Sequence, residues 1–447
     1  MTDKLLANKI AAQVAVLGGR AYFVGGCVRD KLMGQESKDV DIEVHGITPE
    51  QLEAALDSCG RWKEVGKSFG IYMLEHHSLD VALPRSERQT GPRHRDFAVV
   101  VDPFIGTENA ARRRDFTINA MMEDVLSGEI IDHFGGREDL KACLLRHVDG
   151  STFPEDPLRV LRGAQFAARF DFTLHPDTLA LCREIPLGKL SCERIFEELK
   201  KALLGAKKPS RFFEILRECG QLEIWFAELY SLIGVKQDPR YHAEGDVWNH
   251  TMMVLDAAAE LREKAKEPLP FMLSALFHDL GKALCTVEEG GALHAYGHET
   301  EGLPLVRRAL ERLTKERMLI RYVLNMTELH MRPVTLAVQN ASKKSTNRLF
   351  DRSVCPEDLL LLSRADDLGR VPRATVDHTP YLVERLMHYK ALMALPQVGG
   401  EDLIAAGLTP DEHFKTLLEY AHKLHLSGVD KQAALKQTLS YYKELIK

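Results

Sequence analysis

Two aspartates separated by one residue follow a pair of glycines near the start of the chain, and these residue types suit phosphate and metal chemistry. The glycines are Gly25 and Gly26, and the aspartates are Asp39 and Asp41. Because the aspartates alternate with apolar residues, the pattern predicts a strand that presents both carboxylates on one face. Such a pair can hold Mg²⁺ ions that clamp the attacking and leaving oxygens of an in-line displacement, while the glycines let the backbone approach a triphosphate. The element predicts a nucleotidyl-transfer site, although the same alternation also suits a solvated strand face.

The elements that must position these residues predict an α+β fold. The first 140 residues mix short apolar or alternating runs with helical patterns, which indicates a small α/β head with a mixed sheet. Beyond Gly135 and Gly136 the strand patterns nearly vanish, and helical periodicity dominates in segments such as 158–170 and 303–313. We therefore predict a head in residues 1–140, a helical neck in 141–230, a body in 231–375 and a helical tail in 376–447.

Composition and charge limit the class of protein. With 447 residues, 45% of them apolar, the chain is too long for one hydrophobic core and should divide into roughly three domains. Its apolar runs are far shorter than the about 20 residues of a membrane span, so we expect a cytoplasmic enzyme without a membrane partner. The eight cysteines include no C-x-x-C pair, which argues against a zinc ribbon and a disulfide framework. A net charge of −6 implies that any RNA-binding surface is local.

Further polar motifs lie between the aspartate pair and the helical part. Residues 112–115 read Arg-Arg-Arg-Asp. Arginines are planar donors for phosphate oxygens, and the adjacent Asp115 can accept a hydrogen bond from a ribose hydroxyl, although such a run also suits a surface patch. Asp132 precedes Gly135 and Gly136, where the glycines can form a hinge anchored by Asp132 or simply end a strand.

An Asp-Pro pair opens the first long helical pattern, with Asp156 three residues before Arg159. Asp before Pro is a common helix start, in which the aspartate is the N-cap. The same two side chains also match cytosine and adenine, because a carboxylate accepts from an exocyclic amino group while a guanidinium donates to ring acceptors. Uracil and guanine would instead present a carbonyl oxygen to Asp156. The pair could thus select C and A without a nucleic-acid template.

In this order and at these spacings, the motifs resemble those of the class II tRNA nucleotidyltransferases, the CCA-adding enzymes of the polymerase β superfamily. The resemblance covers about the first 220 residues, with the motifs at 25–30, 39–41, 113–120, 132–136 and 155–162. It implies metal ligands at Asp39 and Asp41, and we add Asp80, on a neighbouring strand pattern, as a candidate third carboxylate. The implied nucleotide-binding residues are Gly25, Gly26, Arg29, Arg113, Arg114, Asp115, Asn119, Asp156, Arg159 and Arg162.

The resemblance also implies a reaction and its partners. The 3′ hydroxyl of tRNA, activated by Mg²⁺ on Asp39 and Asp41, would attack the α-phosphate of CTP or ATP, and pyrophosphate would leave. In this family a flexible loop enables the switch from C to A addition, and the polar segment 85–96 is the corresponding loop here. The implied protein is a CCA-adding enzyme in which a catalytic head is followed by an almost all-α neck, body and tail.

A second group of residues suited to metal chemistry lies in the body, where six of the 18 histidines fall within residues 242–330. The positions of His250, of the adjacent His278 and Asp279, and of Asp366 resemble the H, HD and D ligands of the HD superfamily of metal-dependent phosphohydrolases. This implies a site for a divalent transition metal (Ni, Mn or Co) or Mg²⁺. His298 and His330 could add ligands for a second metal, and His242 and His294 are weaker candidates.

Some CCA-adding enzymes carry an HD domain between neck and tail, which implies a second activity on phosphate esters that include 2′,3′-cyclic ones. An HD domain kept for packing or dimerisation is the alternative, so a homodimer is among the assemblies considered. For the head, the alternatives are an enzyme that adds only the terminal A and a poly(A) polymerase, each with a structural HD domain. A phosphohydrolase with a vestigial head and a non-catalytic RNA-binding protein are the remaining classes.

Overall fold

The computed structural model describes residues 2–37, 39–65, 70–89, 97–373 and 376–446. The chain divides into two compact units, Met1–Leu190 with Glu218–Gly220, and Ser191–Arg217 with Gln221–Lys447. The first unit contains a mixed sheet, and the second is almost entirely helical in its described part. The predicted α+β class is therefore confirmed.

A seven-stranded sheet forms the centre of the first unit. Its strands, numbered along the chain together with a separate hairpin β6–β7, are β1 Arg20–Val24, β2 Val40–His45, β3 Trp62–Glu64, β4 Ile71–Leu74, β5 Leu79–Ala82, β6 Arg85–Gln89, β7 Phe97–Val101, β8 Met122–Asp124 and β9 Ile130–Ile131. The order across the sheet is β3-β4-β5-β2-β1-β8-β9. Only β2 and β5 run parallel to each other, and the other neighbours are antiparallel.

The predicted alternation along β2 is confirmed. Val40, Ile42 and Val44 belong to the buried apolar core of the unit, while Asp41 between them is half-buried. Leu6 and Ile10 of the first helix pack into the same core. Because successive strand side chains point to opposite faces, burial of the three apolar residues turns Asp41 towards the other side of the sheet.

The predicted loop 85–96 is a strand in part. Residues 85–89 form β6 and pair with β7, while residues 90–96 lie outside the described residues. Polar residues such as these have little intrinsic preference for strands, so pairing with the valine-rich β7 decides their conformation.

Helices connect the strands of the first unit. They are α1 Asp3–Val16, α2 Gly26–Leu32, α3 Pro49–Asp57, α4 Thr107–Arg112, α5 Gly136–Lys141, α6 Leu158–Phe170 and α7 Pro176–Glu184.

Each unit also contains one short strand pair in its described part. In the first unit β10 Leu144–Leu145 pairs in parallel with β11 Thr173–Leu174, and in the otherwise helical second unit β12 Val287–Glu289 forms a hairpin with β13 Ala292–His294. No described helix combines the length and the apolar content that a membrane crossing requires. The helices are α8 Cys192–Gly205, α9 Ser210–Glu218, α10 Leu222–Tyr230, α11 Val247–Leu261, α12 Pro268–Phe277, α13 Lys282–Cys285, α14 His298–Glu301, α15 Leu303–Leu313, α16 Arg317–Leu329, α17 Arg332–Val338, α18 Lys343–Arg352, α19 Pro356–Leu368, α20 Thr379–Met393, α21 Gly400–Ala405, α22 Phe414–Leu426 and α23 Lys431–Leu445.

Candidate active sites

Three carboxylates come together at the centre of the head sheet. The parallel register of β2 and β5 places Asp41 directly beside Asp80, and Asp39 immediately precedes β2. Burial, followed by the negative charge of Asp80, raises the pKa of Asp41, and burial together with the charge of Asp39 raises the pKa of Asp80. Hard divalent cations prefer carboxylate and phosphate oxygens as ligands. Three carboxylates that repel one another when ionised would be stabilised by a bound Mg²⁺. Asp80, the candidate third carboxylate, lies beside Asp41.

A cleft of about 350 Å³ is lined by both carboxylates and arginines. Asp41 and Asp80 line it together with Arg113 and Arg114. Arg114 lies 3.5 Å from the buried Glu43, whose other oxygen is 2.9 Å from His45. Burial alone would raise the pKa of Glu43, but the hydrogen bond with His45 and the positive charge of Arg114 hold it below its usual range. The same cleft thus offers carboxylates that could hold a metal and guanidinium groups that could bind phosphates.

The predicted glycine pair forms the entry to α2. Gly25 has a φ of +68°, a left-handed conformation that favours glycine, and α2 begins at Gly26. A Cβ atom at Gly25 would lie only 3.1 Å from the guanidinium of Arg114. Glycine at this position therefore keeps the backbone close to an arginine of the cleft.

Several residues predicted to contact the nucleotide are joined to one another by hydrogen bonds, and most of them are buried. Arg29, which is only 4% exposed, donates to Asp30 at 2.6 Å and to Asn119 at 2.7 Å. Asn119 donates in turn to Asp115 at 3.0 Å, and Arg162 of α6 donates to the same carboxylate at 2.6 Å. Burial would raise the pKa of Asp115, but Arg162 and Asn119 hold it below its usual range. The structure thus ties α2, the segment after α4 and α6 together through these four side chains.

Asp156 and Arg159 lie at the start of α6. The Asp156 carboxylate accepts a hydrogen bond from the amide of Leu158 at 3.1 Å, as expected for a residue that caps a helix. The two terminal nitrogens of Arg159 donate to the carbonyl oxygens of Thr152 and Arg113, each at 2.6 Å. Two such bonds fix the plane of the guanidinium next to the arginine segment of the head.

Asp132 and the glycines after it begin α5. The Asp132 carboxylate accepts from the amides of Gly136 and Arg137 at 2.8 and 2.9 Å, and Gly135 has a φ of +75°. A Cβ atom at Gly136 would lie 2.3 Å from the carbonyl oxygen of Thr117. Asp132 therefore anchors the glycine pair, and close backbone packing requires the second glycine.

Histidines from four helical segments converge on one buried aspartate in the second unit. One carboxylate oxygen of Asp279 lies 3.5 Å from Nε2 of His250 and 3.3 Å from Nε2 of His278. The other oxygen lies 3.1 Å from Nε2 of His298 and 3.6 Å from Nε2 of His330. Asp366 approaches the first pair, at 3.1 Å from Nε2 of His250. The structure thus brings together all six residues that the sequence indicated for this site.

The imidazole orientations show that these atoms fit a metal. Nδ1 of His278, His298 and His330 contacts a backbone carbonyl oxygen at 2.7–2.8 Å, so each Nδ1 carries a proton, and each Nε2 is an acceptor when its ring is neutral. Nε2 of His278 is buried without a hydrogen-bond partner, and it faces a carboxylate oxygen of Asp279 at 3.3 Å. An acceptor nitrogen facing a carboxylate oxygen is unfavourable unless a cation lies between them. The donor set suits one or two divalent cations, with Asp279 between the two groups of ligands.

Two residues that the sequence reasoning missed complete this centre. Glu244 accepts from Nδ1 of His250 at 2.9 Å and contacts Nδ1 of His242 at 2.8 Å. Lys282 lies 2.6 Å from the first oxygen of Asp279. Burial would raise the pKa of Asp279, but Lys282 and His278 hold it well below its usual range. Lys282 ends the run His278-Asp279-Leu280-Gly281-Lys282 (H-D-L-G-K), and this position next to the ligand pair could have indicated it. Nothing in the spacing of Glu244 distinguishes it from an ordinary surface glutamate.

The two weaker histidine candidates lie at the edge of this centre. His242 packs edge-on against His250, with ring centroids 4.8 Å apart, and His294 stacks on Tyr296. Gly281 explains how the segments come so close, because a Cβ atom there would lie 2.0 Å from the carbonyl oxygen of His298. The glycine of the H-D-L-G-K run is thus required by backbone packing beside the metal-ligand candidates.

Family models match three parts of the chain. Residues 21–146 match the "Poly A polymerase head domain", and residues 171–232 match the "Probable RNA and SrmB- binding site of polymerase A". Residues 247–370 match the "HD domain". The first match contains Asp39, Asp41 and Asp80, and the third contains the six clustered residues around Asp279.

Relatives and solved structures agree with these matches. The multifunctional CCA protein of Nitrosococcus oceani is 38% identical over 401 residues, which cover 87% of this chain and 93% of the relative. The Bacillus stearothermophilus CCA-adding enzyme in complex with CTP is similar in fold, with a TM-score of 0.67 at 22% identity over 99% of this chain and 98% of that chain. The Thermotoga maritima CCA-adding enzyme complexed with tRNA has a TM-score of 0.63 at 21% identity, over 98% and 94%. The chain belongs to the family of the multifunctional CCA proteins.

Proposed function

We propose that this chain adds C, C and A to the 3′ end of tRNA, using CTP and ATP. The observation that carries the proposal is the cleft in which Asp41 and Asp80 face Arg113 and Arg114. The printed names of its relatives and the tRNA and CTP complexes of similar folds support the same substrates. Head residues 1–140, neck residues 141–230, body residues 231–375 and tail residues 376–447 remain our proposed division of labour.

In this reaction the tRNA 3′ oxygen attacks the α-phosphorus, and the bond to the β-phosphate oxygen breaks to release pyrophosphate. Arg113 and Arg114 hold the negative charge of the triphosphate, because guanidinium groups pair with phosphate oxygens in a fixed plane. Asp39, Asp41 and Asp80 would hold Mg²⁺, which supplies positive charge for the attacking and leaving oxygens when bound. The hydrogen bonds among Arg29, Asn119 and Asp115 hold α6 in a fixed position relative to the cleft.

Asp156 and Arg159 are the residues that we propose select the base. The guanidinium of Arg159 is held by two carbonyl oxygens, and this pre-organisation suits the reading of ring acceptors. A carboxylate at Asp156 favours the amino group that C carries at C4 and A at C6, where uracil and guanine carry a carbonyl oxygen. The proposal therefore places base selection in the protein rather than in a template.

Incorporation assays with shortened tRNAs test this function. We expect CTP to be added to tRNAs that end at the discriminator base and at C, and ATP to a tRNA that ends at CC. Incorporation of UTP or GTP at a rate close to that of CTP would contradict selection by Asp156 and Arg159. Addition of ATP alone would identify the A-adding alternative, and ATP added repeatedly without CTP would identify a poly(A) polymerase.

A second function is favoured by the convergence of imidazole and carboxylate groups on Asp279. We propose that this centre hydrolyses phosphate esters, including 2′,3′-cyclic phosphates at RNA ends. Water adds to phosphorus, one ribose oxygen leaves and takes up a proton, and a monoester with a free hydroxyl remains. His250, His278, Asp279, Asp366, His298 and His330 would hold Ni²⁺, Mn²⁺, Co²⁺ or Mg²⁺, which polarises the ester and makes bound water more acidic.

A pair of matched variants separates the two functions. Asp41→Asn should abolish CTP incorporation and leave hydrolysis of a 2′,3′-cyclic phosphate intact, because Asp41 lies in the cleft of the head. Asp279→Asn should do the reverse, because it removes the carboxylate shared by four histidines. Loss of both activities in either variant would contradict two separate sites. Retention of hydrolysis in Asp279→Asn would leave the HD domain with a structural role.

A further inference from the structure

A cavity of about 360 Å³ opens beside the histidine centre, and most of its walls have no role in what is described above. His298 and Lys282 line one end. The segment with Gln237 and Tyr241 and the loop with Tyr296 line the rest. A volume of this size accommodates a small organic ligand such as a nucleotide. The cavity thus extends from the proposed reaction centre to a part of the surface that can contact the rest of a substrate.

The charge of the cavity suits a phosphate ester. Among its described lining residues are four cations, Lys236, Arg240, Lys282 and Arg370, and one carboxylate, Asp238, which is bonded to Arg240 at 2.9 Å. Two of the cations also contact carboxylates outside the lining, Arg370 with Asp367 at 3.0 Å and Lys282 with Asp279 at 2.6 Å. Gln237 is oriented by Lys282, which donates to its side-chain oxygen at 2.9 Å. The side-chain nitrogen of Gln237 is buried and has no hydrogen-bond partner. An unpartnered buried donor beside several cations indicates that an oxygen-rich anion belongs there.

An aromatic platform lies at the other end of the cavity. The ring of Tyr296 stacks on His294, with centroids 4.9 Å apart and planes only 8° from parallel. Tyr296 is 68% exposed, so most of its ring surface remains accessible. The next element begins at His298, whose Nδ1 contacts the carbonyl oxygen of Ala295 at 2.7 Å. The platform is therefore fixed in position relative to a residue of the histidine centre.

We propose that this cavity binds the nucleoside of the hydrolase substrate, with the base stacked on Tyr296 and the 2′,3′-phosphate at the Lys282 and Gln237 end. The inference rests on the proposed phosphohydrolase function and adds to it a residue, Tyr296, that would contact the base of the substrate. Stacking contacts the face of a base, which all four bases share. The site therefore accepts any terminal base, unlike the base selection proposed for the head.

The test compares substrates with and without a base. We would measure kcat/KM of the full-length protein with Mn²⁺ for adenosine 2′,3′-cyclic phosphate, for a short RNA that ends in a 2′,3′-cyclic phosphate, and for glycerol 1,2-cyclic phosphate. Tyr296→Ala should lower kcat/KM for the first two by about ten- to hundredfold, mainly through KM, which is the range of one base stack. The same variant should leave the glycerol ester unchanged. Faster turnover of the RNA than of the free nucleotide would identify RNA ends as the source of substrate.

Two further variants serve as controls. Tyr296→Phe keeps the ring and should retain wild-type kcat/KM. Tyr441→Ala removes a ring from another stacked pair, with Tyr420 at 4.3 Å, far along the chain in the tail, and should have no effect. An equal loss on all three substrates, or no loss on any, would overturn the proposed platform.

A binding measurement separates failure of this inference from failure of the proposed hydrolase. If the wild-type protein hydrolyses none of the three esters, the hydrolase function is wrong. Calorimetric titration with adenosine 2′-monophosphate and with inorganic phosphate still tests the cavity. The wild type should bind the nucleotide more tightly than phosphate, and Tyr296→Ala should lose about ten- to hundredfold of the nucleotide affinity only. Equal nucleotide affinities in both proteins would overturn the inference.

Discussion

Substitution of Asp115 tests whether this buried aspartate positions α6 or contacts the ribose, as the family resemblance implies. Its side chain accepts three hydrogen bonds, from the amide of Phe116 at 2.8 Å, from Asn119 at 3.0 Å and from Arg162 at 2.6 Å. Asp115 is only 8% exposed, so little of its surface is accessible to a ribose. We therefore expect Asp115 to act mainly by holding Arg162 and Asn119 in place.

The size of the effect follows from these contacts. Leaving a buried donor without its acceptor costs about 1–3 kcal/mol, and a bond to a charged group is worth about 1.5–3 kcal/mol. The Arg162 side chain is 33% exposed, so water replaces part of the lost interaction. We expect Asp115→Ala to lower the free energy of unfolding by about 3–4 kcal/mol. For a unit of this size, that corresponds to a fall in Tm of roughly 10 °C.

The pH dependence has a defined sign. The pKa of Asp115 in the folded protein lies below its ordinary value, despite burial, because Arg162 and Asn119 stabilise the carboxylate. Its contribution to stability is therefore present above the unfolded pKa of about 4 and is lost as the pH falls through the folded pKa. The difference in Tm between the wild type and Asp115→Ala should be constant near neutral pH and shrink in acid.

Thermal unfolding and substrate discrimination together provide the assay. Asp115→Asn should lower Tm and reduce incorporation of CTP and 2′-deoxy-CTP by the same factor. Asp177→Asn, whose side chain is 78% exposed in the same unit, is the control and should change neither. The reasoning would be refuted if Asp115→Asn kept the wild-type Tm but lost only the preference for CTP over 2′-deoxy-CTP, because that result identifies a ribose contact.

Three further predictions concern the metal sites and their packing. Asp80→Asn should raise the Mg²⁺ concentration needed for half-maximal CTP incorporation, and an unchanged Mg²⁺ dependence would exclude Asp80 as a ligand. Glu244→Gln should weaken metal binding at the histidine centre by about 10–100-fold in calorimetry, because it disturbs the partner that orients His250. Gly281→Ala should destabilise the second unit in thermal unfolding, since its Cβ would lie 2.0 Å from a carbonyl oxygen, whereas Gly205→Ala, with open space around it, should not.

The order of the motifs along the chain predicted which residues lie together at the carboxylates of the head and at the histidine centre of the second unit. The H, HD and D residues and the two additional histidines meet around Asp279, as the resemblance to the HD superfamily implied. Asp80 lies opposite Asp41 because two apolar alternating runs pair in parallel, a register that a strand pattern makes plausible but does not determine. Their roles as ligands and catalytic residues remain predictions until the variants above are measured.

Other features could not be read from the chain. Arg29, Asn119 and Asp115 belong to recognisable motifs, yet their burial and mutual bonds depend on how α2 and α6 pack. Residues 85–89 look like a polar loop, and only pairing with β7 makes them a strand. Glu244 becomes a partner of His250 through a contact that no local periodicity encodes.

The sequence by itself determined which residues are candidates for the chemistry, because carboxylates, arginines and histidines at fixed spacings limit what a strand face or helix end can bind. It also determined the α+β class, since periodicity of two and of 3.6 residues follows from backbone geometry. Tertiary structure alone decided which of these polar groups line a cleft and which are buried as supports. Which groups are exposed in a cleft depends on the register of paired strands and on close backbone packing, such as that of Gly281 against His298. These are non-local contacts that no short segment specifies.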